Sequence, residues 1–260
     1  MTYLSPLLNI LTKSLRIVGK SVIRDYTEIE KLQNSIKNNK NFIIKAEESL
    51  KKKLSEALEK IKPNLPIEKI NENKLSNCWL LETIDNKINF SRGLQDFCIC
   101  VSLKENKEIT TSVFYDPIRD ETFFFQKGFG GYKNDLKIRV SEKKKISESI
   151  FSIFKKFSTD DDIEAINIIR KNLGNKSLET RETGSITLDL CNVGCGKYDG
   201  LFFANPCHNH ILISSLISKE TGGIINTLEY KESSIYISSN EYIGKLLKEV
   251  IKNENENEKN

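Results

Sequence analysis

The residues best suited to metal-dependent chemistry lie in a short acidic stretch that follows a predicted strand at 78–83. Glu82 closes that strand, and Asp85, Asn86 and Lys87 come next. Mg²⁺ prefers carboxylate and other hard oxygen ligands. Two or three such ions could hold a phosphate ester and activate water, provided that several carboxylates converge to offset the repulsion between the cations. Asp85 could instead cap backbone N–H groups, and Lys87 could be solvated or hold an anion.

A second group of candidate ligands is soft rather than hard. Cys191 and Cys195 are four residues apart on one face of a predicted helix, and Cys207 and His210 follow. Thiolates and imidazoles of this kind bind Zn²⁺. The spacing matches no known zinc motif, however, and cysteine in such helices is commonly a small core residue. The sequence leaves both interpretations open.

The elements that must position these residues begin with a run of strands. Apolar and β-branched residues alternate with polar ones, and Asp-Pro and paired glycines supply turns. This pattern predicts four consecutive strands, at 78–83, 97–103, 109–115 and 122–126. Further strand structure is predicted over 137–154 and at 199–204.

Helices are predicted on both sides of these strands. Ser5 is a suitable N-cap with Pro6 at the first helical position, and an apolar stripe with helical spacing follows over 5–25. Apolar stripes predict helices at 43–61, where prolines end the helix, and at 161–173, and further helices are expected at 185–196, 210–221 and 240–252.

Composition limits the class of protein. The 260 residues are 38% hydrophobic and 29% charged with a net charge of +4, which indicates a folded chain and gives little support to direct nucleic-acid binding. The sequence contains no run of about 18 apolar residues, so no membrane span is predicted. Six cysteines in a chain of this length indicate reduced thiols and a cytoplasmic protein. We expect one continuous domain over 1–252 and a disordered low-complexity tail at 253–260.

Three segments carry a resemblance to a known family. Residues 115–123 read Y-D-P-I-R-D-E-T-F, residues 181–203 read R-E-T-G-S-I-T-L-D-L-C-N-V-G-C-G-K-Y-D-G-L-F-F, and residues 222–225 read G-G-I-I. They resemble motifs of the inositol monophosphatase family, most closely its bacterial SuhB-type branch. The resemblance covers about residues 5–250 and implies an α+β layered sandwich, the αβαβα sugar-phosphatase fold.

The resemblance also implies where metal ligands should lie. In the family, Mg²⁺ is held by a Glu of an E-E motif, both Asp of D-P-[IL]-D, and a distant Asp in P-W-D-x-A-A-G. Glu68 is the residue of this chain nearest to the first position, Glu82 replaces the second, and Asp85 keeps the third. His210 stands where the fourth acid is expected.

Substrate positions are substituted as well. The family's Gly-Thr pair, which cradles phosphate and water, corresponds to Asn86 and Lys87. The Glu that touches inositol hydroxyls corresponds to Phe203, which accepts no hydrogen bond. In the segment that resembles D-F-V-T-x-A-D, Asn41 and Glu47 replace the two aspartates.

Two functional interpretations follow. The first is a pseudoenzyme that has lost Mg²⁺-dependent hydrolysis and acts by binding. The resemblance implies a role in ribosomal RNA transcription antitermination with Nus factors, and a homodimer. The alternative is a weak or altered Mg²⁺-dependent phosphatase of inositol phosphates that uses Glu82, Asp85 and Glu68.

Overall fold

A computed structural model describes residues 5–32, 36–154 and 159–248 of the chain. The chain divides into two compact units, Met1–Lys137 and Ile138–Asn260, and each combines helices with a sheet. The predicted tail at 253–260 lies outside the described residues, and the single domain over 1–252 stays a prediction. Among the described residues, no helix is both long and apolar enough to cross a membrane.

The first unit is built on a seven-stranded sheet whose strands follow chain order. β1 pairs with β2 in parallel, and each strand from β2 to β5 pairs with the next in antiparallel fashion. The strands are β1 (Ile67–Lys69), β2 (Cys78–Glu82), β3 (Ile99–Glu105), β4 (Glu108–Asp116), β5 (Glu121–Gln126), β6 (Gly130–Lys133) and β7 (Leu136–Ile138). The helices are α1 (Pro6–Leu32), α2 (Ile36–Ile61) and α3 (Lys87–Ser91).

Alternation along the strands explains how this unit packs. Successive side chains of a strand point to opposite faces, so Trp79 and Leu81 of β2 share one face. That face packs with the apolar stripes of α1 and α2, including Leu15 and Leu54, in one buried cluster. α1 begins as predicted, with the Leu8 N–H donating to Ser5 Oγ at 3.3 Å. It runs further than predicted, to Leu32.

The second unit has a five-stranded mixed sheet in the order β11-β12-β10-β8-β9. β8 pairs in parallel with β9 and β10, whereas β12 pairs antiparallel with β10 and β11. The strands are β8 (Ile150–Phe154), β9 (Glu179–Arg181), β10 (Gly200–Ala204), β11 (Ile224–Tyr230) and β12 (Ser233–Ser239). The helices are α4 (Asp160–Gly174), α5 (Ile186–Gly194), α6 (His208–Thr221) and α7 (241–248).

The four consecutive strands predicted at 78–126 are confirmed as β2 to β5. The strand predicted over 137–154 is wrong for most of its length, because β8 begins only at Ile150. The lysine-rich stretch before β8 offers no alternating apolar face to bury. The β11–β12 hairpin was not predicted, since its turn at Lys231 reaches a φ of 50° without a glycine.

Candidate functional site

The acidic loop after β2 is held in place by its own side chains. The Asp85 N–H donates to the Cys98 carbonyl at 3.1 Å, and Asp85 Oδ1 accepts the Cys98 N–H at 2.8 Å. Asp85 therefore ties the loop to the residue that precedes β3. One of its two carboxylate oxygens has a structural hydrogen bond, which is the capping role that the turn position allowed.

Asn86 serves the short helix that follows. Its Oδ1 accepts the Asn89 N–H at 3.1 Å, which makes Asn86 the N-cap of α3. Asn89 in turn donates from Nδ2 to the Asp96 carbonyl at 2.7 Å. Polar side chains that cap backbone groups stabilise helix termini. The amide oxygen of Asn86 is thus engaged by the backbone of its own helix.

Lys87 forms an ion pair with Glu47 of α2. Lys87 Nζ lies 2.9 Å from Glu47 Oε1, and the same oxygen accepts the Thr83 hydroxyl at 3.3 Å. The Lys87 side chain is 62% exposed, whereas that of Glu47 is 20% exposed. The ion pair is therefore well solvated at its lysine end, yet it directs the ammonium group at one of the acids of this region.

Glu68 lies apart from these residues. It is buried in β1 and in register with Leu80, and its carboxylate accepts hydrogen bonds from the Lys74 N–H at 3.2 Å and from Cys78 Sγ at 3.6 Å. Burial and the Glu68 charge raise the pKa of the Cys78 thiol to about 11. Cys78 is the first residue of β2 and Glu82 is the last, so about 13 Å of strand separates them. The Glu68 carboxylate is thus hydrogen-bonded at the start of β2, whereas Asp85 follows the end of that strand.

Two of the substituted family positions lie in the second unit. Phe203 of β10 is fully buried and stacks on Tyr236 of β12, with ring centroids 5.7 Å apart. It is a packing residue. His210 lies in the first turn of α6, where its Nδ1 is 3.1 Å from Cys207 Sγ. Asn41, in the first unit, lies on an exposed position of α2.

The predicted zinc ligands do not form a metal-binding group. Cys191 is fully buried in α5, and Cys195 donates to the Asn192 carbonyl at 3.5 Å. In the described ranges 5–32, 36–154 and 159–248, no three His, Cys, Asp or Glu side chains form a group that could hold a metal ion. Within the same ranges, Glu68, Glu82 and Asp85 likewise do not form such a group.

The sequence interpretation missed the pairing of Glu47 with Lys87, although a signal for it existed. A longer acid stands where the family has Asp, and a lysine stands where it has Thr. A lysine in place of a neutral residue adds a charge opposite to that of the retained acid, which favours a direct contact between the two. The three-residue spacing of Cys207 and His210 gave a similar signal at a helix start, because residues three apart lie on one face.

Comparison with known proteins identifies a family and several relatives that this chain resembles. The model of the inositol monophosphatase family matches residues 3–257. The chain is 27% identical over 256 residues to an inositol-1-monophosphatase of Rhizobium meliloti, covering 95% of this chain and 96% of the relative. It is 25% identical over 256 residues to the Nus factor SuhB of Pasteurella multocida, covering 95% of each.

Solved structures give the same fold. The extragenic suppressor protein suhB from Bartonella henselae matches with a TM-score of 0.78 and 22% identity, covering 96% of this chain and 99% of that one. An IMPase from Thermotoga maritima matches with a TM-score of 0.77 and 24% identity, covering 95% and 96%. These matches confirm the predicted α+β layered sandwich.

Proposed function

The chain belongs to the inositol monophosphatase family, and from that premise we propose that it has lost Mg²⁺-dependent phosphatase activity and acts as a binding protein. The observation that carries this proposal is the Glu47–Lys87 ion pair, with its 2.9 Å separation. The lysine occupies the position at which the family motif has the Thr that helps to cradle phosphate and water. A fixed ammonium there disfavours a divalent cation.

Lys87 would repel a cation bound near it. Because the Lys87 side chain is largely exposed, water screens it, so a unit positive charge 4 Å from another costs only about 1 kcal/mol, and about twice that against a divalent ion. An ion placed beside Asp85 would need other acids to offset this cost. Glu47 already forms an ion pair with Lys87, and the Glu68 carboxylate accepts hydrogen bonds from the Lys74 N–H and the Cys78 thiol. If one ion is retained, its proposed ligands are Asp85 and Glu82.

We propose that the binding role is association with Nus factors in ribosomal RNA transcription antitermination. The support is the naming of relatives such as the Nus factor SuhB of Escherichia coli, which is 25% identical over 227 residues. The test is the binding of purified Nus factors to the full chain. We expect saturable binding that Asp85→Asn leaves unchanged, whereas no binding to any Nus factor would contradict this role.

Three further properties belong to the proposal. We propose a homodimer, a cytoplasmic location, and one continuous domain over 1–252. Lys87 and Asn86 remain the proposed anion-contacting residues, since the Lys87 side chain is largely exposed. Sedimentation of the purified chain tests the dimer, and a single monomeric species would contradict it.

The enzymatic role is tested by phosphate release from inositol 1-phosphate with Mg²⁺. We expect no release above that of the Asp85→Asn variant, because the acids that could hold ions are separated or paired. Asp96→Asn provides a matched control, since Asp96 pairs with Arg119 and not with the loop after β2. Turnover that Asp85→Asn abolishes and Asp96→Asn preserves would contradict the proposal and favour the weak phosphatase.

A further inference from the structure

A second reactive site lies at the start of α6, outside the acidic loop. Cys207 is the N-cap of this 14-residue helix, and His210 stands in its first turn. We infer that Cys207 is a nucleophilic thiol that forms mixed disulfides with low-molecular-weight disulfides, and that His210 takes up its proton. This site does not depend on whether the chain hydrolyses phosphate esters.

The geometry joins a nucleophile to a base. Cys207 Sγ lies 3.1 Å from His210 Nδ1, which is hydrogen-bond distance for a sulfur atom. The Cys207 backbone is extended, and its side chain makes no capping hydrogen bond to the helix. The Cys207 thiol therefore contacts the His210 imidazole instead of capping the backbone N–H groups of the helix. A Cys–His pair within hydrogen-bond reach is the arrangement that activates a thiol.

The helix strengthens this activation. The N-terminus of an α-helix carries about half a positive charge, which favours the thiolate over the thiol. His210, once protonated, adds a full positive charge at the same place. Cys207 is also partly exposed, so a small reagent can reach it.

Three elements of the second unit pack against α6. These elements are α5, β11 and β12. α5 carries Asp189, which accepts hydrogen bonds from Ser152 and Thr183, and β11 carries Glu229, which accepts one from Ser234. The sequence of β12 has no charged residue.

α6 itself carries three further titratable groups. His208 is its first residue and is exposed, so it lies on the same turn as the thiol. Lys219 and Glu220 lie at the opposite end of the helix, about 17 Å away along its axis. Near Cys207, this helix thus offers two imidazoles and its own N-terminus.

The reaction is a thiol–disulfide exchange. The Cys207 thiolate attacks one sulfur of the low-molecular-weight disulfide, a new S–S bond forms, and the original S–S bond breaks. The leaving sulfur departs with the bonding electron pair as a thiolate and takes up the proton that His210 held. Cys207 is oxidised to a mixed disulfide, and one half of the reagent is reduced to a thiol.

The chain contains its own control. Cys195 is also partly exposed, but it is the C-cap of α5 and donates to the Asn192 carbonyl. A helix C-terminus carries partial negative charge, which disfavours a thiolate. The four other cysteines are buried, so alkylation of the folded chain reports mainly on Cys207 and Cys195.

The experiment measures the rates at which iodoacetamide alkylates the two cysteines, at pH 6 and pH 9, with peptide mapping. A thiol activated by a helix N-terminus and a histidine is largely ionised at pH 6, whereas an ordinary thiol is not. The thiolate of such an activated thiol is also less nucleophilic than that of an ordinary thiol, because nucleophilicity falls with the thiol pKa with a Brønsted slope of about 0.4–0.5. We expect Cys207 to react about tenfold faster than Cys195 at pH 6 and more slowly at pH 9.

This reversal cannot come from accessibility alone, because a difference in access would favour the same cysteine at both pH values. Equal rates at pH 6, or the same order at both pH values, would overturn the inference. The result rests on the parent chain, so it holds even if a variant fails to fold.

Two variants and a disulfide sharpen the test. His210→Gln should remove most of the tenfold advantage at pH 6, with circular dichroism confirming that the helices remain. With glutathione disulfide, we expect one mixed disulfide per chain on Cys207, and none in Cys207→Ser. Modification of Cys195 instead, or unchanged reactivity in His210→Gln, would contradict the assignment.

Discussion

Two segments of the first unit both correspond to family motifs, and they differ in what their side chains do. In the hairpin at 115–123, Asp116 Oδ1 accepts the N–H groups of Ile118 and Arg119, and its Oδ2 is 2.8 Å from the Arg119 guanidinium. In the loop after β2, Asn86 and Lys87 stand where the family motif has Gly and Thr.

The difference separates folding from chemistry. The buried Asp116 side chain accepts two N–H groups of the turn that joins β4 to β5, and that hydrogen bonding is needed whether or not the protein is an enzyme. The loop side chains of the family serve ions and substrate. In this chain they are replaced by residues that satisfy each other, such as Lys87 and Glu47. The fold can persist while the metal chemistry is lost.

The largest expected effect comes from the hairpin. Asp116→Ala removes the acceptor for two N–H groups and the partner of Arg119, and Asp116 is almost fully buried. We expect the free energy of unfolding to fall by about 3 kcal/mol. Asp85→Ala, which removes the acceptor of the Cys98 N–H, should cost about 1 kcal/mol. Urea unfolding measures both, and equal losses would contradict the comparison.

The hairpin should also make stability depend on alkaline pH. Burial, followed by the hydrogen bond to Asp120, raises the pKa of Tyr115 to about 12 from its ordinary value of 10.0. Between pH 10 and pH 12 the unfolded chain loses this proton while the folded chain keeps it. The contribution of this proton to stability is therefore full below pH 10 and is lost as pH rises through 12, which lowers the free energy of unfolding by up to about 3 kcal/mol. Tyr115→Phe should flatten this part of the curve, and an unchanged curve would contradict the assignment.

A glycine of α1 tests how closely the helix approaches the hairpin. A Cβ at Gly19 would overlap the ring of Tyr115. Gly19→Ala should lower the free energy of unfolding by about 2 kcal/mol through overpacking, despite the higher helix propensity of alanine. Gly174→Ala in α4, whose Cβ would meet nothing within 4 Å, should instead raise it by up to about 1 kcal/mol. A stabilised Gly19→Ala chain would show that this contact is loose.

The smallest effect is expected for the ion pair in the loop. Lys87 is largely exposed, so water screens its attraction to Glu47. Lys87→Met should change the free energy of unfolding by less than about 1 kcal/mol. A double-mutant cycle with Glu47→Gln measures the coupling. A coupling energy of several kcal/mol would mean that this ion pair stabilises the fold as strongly as Asp116 does.

The sequence predicted the fold better than the site, for physical reasons. Strands β2 to β5 have alternating apolar residues, and local pattern is enough to find them. Glu68 could not be placed from sequence, because its role depends on the register between β1 and β2, which sets it against Leu80 and near Cys78. The pairing of Glu47 with Lys87 joins α2 to the start of α3, forty residues later, and spacing alone does not reveal such a contact.

The most direct test of the central claim is the binding of Mn²⁺, which uses the same oxygen ligands as Mg²⁺ and is detected by electron paramagnetic resonance. We predict that Mn²⁺ binding to the parent chain shows no saturable site that is lost in the Asp85→Asn variant. Two or three bound ions per chain that disappear in Asp85→Asn would contradict the account and identify a working metal centre.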